Sequence, residues 1–141
     1  MKKVLKLKIC NWSLLIATFI ILASGIQLEA TGSRSIGFVW FHIFAGYAFG
    51  FLAIWHIALN LKWGDWFAKF RRVKSPVTRL LWWLFLLAIL SGLVAFGHWI
   101  VTYEHSPIGG IHGKLGLLMI LVAIGHTVKR IKYFKNSRKR R

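Results

Sequence analysis

Three stretches of this 141-residue chain carry no charge at all: Ile9 to Leu28, Ser35 to Leu61 and Leu80 to Tyr103, runs of 20, 27 and 24 residues. Each reaches the ~20 residues that an α-helix needs to cross the apolar core of a bilayer. A fourth stretch, His105 to Val128, is broken only by Lys114, placed near its start where a long side chain can snorkel to the interface. In hydrocarbon a single segment must satisfy its own backbone hydrogen bonds, so runs of this length specify helices. The expected fold is all-α: an integral membrane four-helix up-down bundle with spans near residues 9–29, 36–61, 79–102 and 108–130. These make one membrane domain, followed by a basic tail at 131–141.

A formal charge of +17 alongside 57% hydrophobic residues asks where the charge lies, because nucleic acid is the usual alternative partner for so basic a chain. Four basic residues precede the first span (Lys2, Lys3, Lys6, Lys8), six lie between the second and third (Lys62, Lys69, Arg71, Arg72, Lys74, Arg79), and eight follow Val128. Arg34 stands alone between the first and second spans, and Val101 to Pro107 has no Lys or Arg. By the positive-inside rule both termini are expected in the cytoplasm, with the basic tail facing anionic lipid head groups or a cytoplasmic partner. No nucleic-acid partner is expected. A cleavable signal peptide is the lesser reading of the N-terminal segment, since cleavage would leave three spans and strand the basic middle loop. The one cysteine, Cys10, supports neither a disulfide nor the paired-cysteine attachment of a c-type haem.

The chain reads as a duplicated helical hairpin. Ser24-Gly25 returns as Ser91-Gly92; His42 and Gly46 return as His112 and Gly116; Ala53-Ile-Trp-His56 returns as Ala123-Ile-Gly-His126. The histidine offset is 70 both times. Fourteen helical residues make nearly four turns, so His42 and His56 share a face about 21 Å apart, and His112 and His126 repeat the pattern. With both termini on one side, the second and fourth spans run parallel. His42 is then expected level with His112 near the outer face, and His56 level with His126 near the cytoplasmic face.

Two imidazoles from facing helices can bind the iron of a flat macrocycle from opposite sides, so the four histidines are read as axial ligands of two haem b groups. Ordinary packing histidines are the alternative. A zinc site would need three or four ligands at one level, and each level offers two. Gly46 and Gly116, one turn from the outer histidines, and Gly25 and Gly92, on the flanking spans, are candidates to make room for the porphyrin. Asn60, four residues after His56, and Lys129 and Arg130, three and four after His126, are candidate propionate contacts. His98 and His105 lack counterparts in the first half and are read as interfacial or loop residues; a role in quinone binding or proton transfer, with Glu104 beside them, is the functional alternative. Seven of the eight tryptophans fall near predicted membrane edges, as indoles do, and Trp55 lies within the second span. It and the Phe41, Phe44, Tyr47 and Phe51 stripe could line a haem pocket or pack against lipid.

These histidines, the hairpin repeat and the glycines together resemble the membrane di-haem cytochromes b of prokaryotes. The likeness is greatest to small four-helix cytochrome-b-like proteins akin to the membrane subunits of formate dehydrogenase and nickel-iron hydrogenase. It covers nearly the whole chain and implies a prokaryotic cytoplasmic membrane. It also implies that His42 and His112 hold one haem and His56 and His126 the other, in an electron-transfer subunit of an oxidoreductase complex. The implied partners are a periplasmic haem or iron-sulfur protein and quinone or a second protein. With only Glu29, Asp65 and Glu104 as acids, acid-base catalysis by the chain itself is not expected. A quinone-reactive subunit and a haem-free membrane anchor are the other classes.

Overall fold

The computed structural model describes residues 3–32, 35–60, 75–104 and 106–138, with the side chains of 4 and 130–138 outside that description. Every described element is an α-helix: α1 (Lys3–Thr31), α2 (Ile36–Asn60), α3 (Pro76–Thr102) and α4 (Pro107–Arg138). The stretches Leu5–Thr31, Ile36–Asn60, Pro76–Thr102 and Pro107–Lys129 are each long and apolar enough to cross a membrane. The chain is a multi-pass membrane protein.

It divides into two compact units, Met1–Val73 and Lys74–Arg141. In the first, α1 packs along α2; in the second, α3 packs along α4. Each unit buries little: Cys10, Ser24 and Val39 in the first, and Leu84, Phe85, Ala88, Met119 and Ile120 in the second. Large apolar side chains are exposed along all four helices, with Phe19, Phe51, Leu90 and Leu121 each more than half exposed. A water-soluble helix would confine such residues to one stripe; these helices are apolar all round, as hydrocarbon requires. The hydroxyls inside the spans return to their own helix: Thr18 to Leu14 O, Thr31 to Gln27 O and Thr127 to Ala123 O, at 2.7 to 2.9 Å. No buried side-chain nitrogen or oxygen among the described residues lacks a partner.

Helix starts are set by local chemistry. The chain's two prolines both follow a serine and both occupy the first helical position, where the missing N–H costs nothing. Ser75 Oγ accepts from Thr78 N at 3.3 Å to open α3. Ser106 Oγ accepts from Ile108 N at 3.1 Å and Gly109 N at 3.2 Å to open α4. Ser106→Ala is expected to destabilise the protein by about 0.5–2 kcal/mol, the usual cost of losing an N-cap. Thermal unfolding in detergent checks this, and an unchanged midpoint would show that α4 does not depend on its cap. Two helices end in left-handed residues: Gly32 (φ 59°) closes α1, and Tyr103 (φ 56°) closes α3 with its N–H on Trp99 O at 2.8 Å.

Candidate histidine sites

In the first unit the α1–α2 hairpin sets two polar residues of α1 against the two histidines of α2. The facing pairs are centred on nearly the same point of the sequence: Ser24 meets His42, and Asn11 meets His56. Ser24, 5% exposed, holds its Oγ 2.9 Å from His42 Nδ1. The same hydroxyl donates its proton to Ile21 O at 3.0 Å. While that proton stays directed at Ile21 O, Oγ faces the ring with a lone pair, and Nδ1 is then the donor. At the other level Asn11 Oδ1 lies 2.8 Å from His56 Nδ1. A carboxamide oxygen can only accept, which again puts the proton on Nδ1. The thiol of Cys10, next to Asn11, points to Leu52 O at 3.7 Å, one turn before His56.

The second unit repeats the Ser24–His42 arrangement. His112 Nδ1 lies 3.0 Å from Ala88 O and 3.3 Å from Ser91 Oγ, while Ser91 gives its proton to Leu87 O at 2.7 Å. Both neighbours are acceptors, so His112 also carries its proton on Nδ1. With Nδ1 as the donor, the lone pair that could bind a metal is on Nε2 in each ring. Metal-ligating histidines are oriented in this manner, with the other ring N–H given to a carbonyl or similar acceptor.

The glycine of each Ser-Gly pair lies against the same ring. A Cβ added at Gly92 would come within 2.9 Å of His112 Cε1 and 3.1 Å of its Nδ1; one at Gly25 would lie 3.5 Å from His42 Cε1. The space each glycine leaves is thus occupied by its own histidine. At Gly46 a Cβ would meet Ile21 Cδ1 at 3.7 Å, and at Gly116 it would meet nothing within 4 Å.

Asn60 is exposed and donates through Nδ2 to His56 O at 2.7 Å, closing the last turn of α2. Lys129 is exposed, and the side chain of Arg130 lies outside the described residues. His126 is half-buried in α4. Lys114 is exposed. His98 lies 3.3 Å from Thr102 Oγ1, which also donates to His98 O and accepts from Glu104 N, forming a small polar knot at the end of α3. His105, Trp63 and Trp66 lie outside the described residues. Phe44, Tyr47 and Phe51 are more than half exposed and fall on the face of α2 opposite His42, at 100° per residue. No group of three or more His, Cys, Asp or Glu side chains among the described residues could hold a metal ion. Zinc takes a set of that size, whereas axial ligation of haem takes at most two imidazoles.

Serine and asparagine as ring partners escape a sequence reading centred on the histidines. The available clue was polarity: Asn11 and Ser24 are polar residues inside a charge-free run, where an unmet hydrogen bond is expensive.

Fold and sites together define a four-span membrane protein with oriented histidines inside its helical hairpins. No protein-family model, characterised protein or solved structure matches the chain.

Proposed function

We propose that the chain is a di-haem b-type cytochrome subunit that relays electrons across a prokaryotic cytoplasmic membrane. The observation that carries this reading is the shared state of His42, His56 and His112. Three membrane-embedded imidazoles in two separate units each hold Nδ1 against an oxygen of the preceding helix, which in this reading makes Nε2 the ligating atom. A packing histidine has no need of one consistent tautomer; an axial ligand does.

By the 70-residue register, His42 and His112 are the ligands of one haem b, and His56 and His126 those of the other. The two hairpins are in this reading duplicate halves of a four-helix up-down bundle with both termini cytoplasmic. When bound, haem b supplies a one-electron ferric/ferrous couple. The chain's own residues do the rest. Ser24, Ser91 and Asn11 hold the rings, Gly25 and Gly92 admit them, and the apolar spans keep water from the ligands. Gly46 and Gly116 are proposed to leave room for the macrocycles, and Asn60, Lys129 and Arg130 to meet propionates. Substrate chemistry belongs to other subunits: a periplasmic haem or iron-sulfur protein at the outer face, and quinone or a second protein at the other end.

The purified protein is expected to show a b-type α-band in its reduced-minus-oxidised spectrum, with two haem b per chain by haemochrome assay. Absence of that band would overturn the proposal and leave the anchor reading.

A further inference from the structure

We propose that Asn11 is a positioning residue that sets the tautomer and donor strength of His56, tuning one haem independently of the other. The inference rests on the haem reading above. An amide within an apolar span is costly unless its hydrogen bonds are met, and Asn11 meets one on His56 Nδ1 at 2.8 Å, the shortest of the imidazole contacts described. The acceptor is a carbonyl oxygen with no proton to return, so the direction of the bond is fixed. Drawing the Nδ1 proton toward Oδ1 raises electron density at Nε2. A more basic ligand favours ferric over ferrous iron, which lowers the potential of the haem that His56 holds.

Among the contacts described, Asn11 meets His56 alone. Ser24 and Ser91 are 67 residues apart, and the residue 67 positions after Asn11 is Thr78. Its hydroxyl lies 3.0 Å from Ser75 Oγ, and its N–H bonds the same atom, so it belongs to the cap that opens α3. Both halves set a Ser-Gly pair against a histidine, and Thr78 stands where the same offset would place a second asparagine.

The test is a redox titration of the full-length, haem-loaded protein, read by the split α-band and by the low-spin ferric paramagnetic resonance signals. Asn11→Leu keeps the side chain's size and removes the acceptor; one midpoint potential should move upward and one resonance signal should shift, while the other haem keeps its wild-type values. Asn11→Asp, with the stronger carboxylate acceptor, should move that same potential downward. Potentials unchanged in both variants, both haems moving together, or both variants shifting in the same direction would each overturn the proposal. Should Asn11→Leu fail to assemble, the isosteric Asn11→Asp must still produce the one-sided downward shift. Wild-type protein without haem b would refute the haem reading and this inference with it; two haems with unmoved potentials would refute only the role of Asn11.

Discussion

Alanine at His56 is expected to remove one of the two haem b signals and leave the other intact. The substitution deletes a ligand and also leaves the part-buried Asn11 carbonyl without its imidazole partner, at a cost below the ~1–3 kcal/mol of a fully buried unsatisfied acceptor. His42 stands about 21 Å along the same helix, with its own partner Ser24, so the disturbance should not reach it. Haem content should fall from two per chain to one, and electron transfer between the membrane faces should be lost. His56→Met supplies the control, because methionine still binds haem iron while raising its potential; it should restore the second haem with an upward shift. Loss of both haems, or of neither, in the alanine variant would break the proposed pairing of His56 with His126.

Gly92→Ala and Gly25→Ala occupy matching positions in the two halves, yet their effects should differ sharply. At Gly92 the new methyl would sit 2.9 Å from His112 Cε1, closer than a real Cβ approaches anything, and it cannot swing away because it is fixed to the backbone. The ring must move, and its bond to Ala88 O goes with it. Overpacking of this kind costs about 1–3 kcal/mol, and the haem that His112 is proposed to hold should be lost or spectrally altered. At Gly25 the corresponding distance is 3.5 Å, ordinary van der Waals contact, so alanine there should leave spectrum and stability close to wild type. Haem stoichiometry and thermal midpoint of the two variants decide the matter. Equal damage from both would mean that helix packing, rather than the histidine ring, is what the glycines serve.

The number and nature of the helices were legible from charge alone, because hydrocarbon tolerates neither a charge nor an unpaired backbone group. Their ends were less so. Charge marks where a membrane would begin, while a helix stops where its caps lie. Thus α3 starts at Pro76 rather than near residue 79, because Ser75 caps it, and α4 runs on to Arg138, through Lys and Arg residues that favour helix in water as in lipid. The shared face of His42 and His56 follows from periodicity. Their partners do not: nothing in the spacing of Asn11 or Ser24 says which residue of the next helix comes opposite until the turn fixes the register. The Ser-Gly repeat was visible as a repeat, with its glycines read as room for a porphyrin edge. In the described units that room is filled by the imidazoles of His42 and His112.

The hydroxyl of Ser24 has a consequence for protons. From His42 Nδ1 to Ser24 Oγ to Ile21 O, each donor hands its hydrogen in the same direction, and the sequence ends on a peptide carbonyl that has nothing to pass on. Ser91 ends its own branch in the same manner on Leu87 O. A relay that terminates in this way is a dead end for protons. Along these two branches a proton leaving the ring meets only a peptide carbonyl.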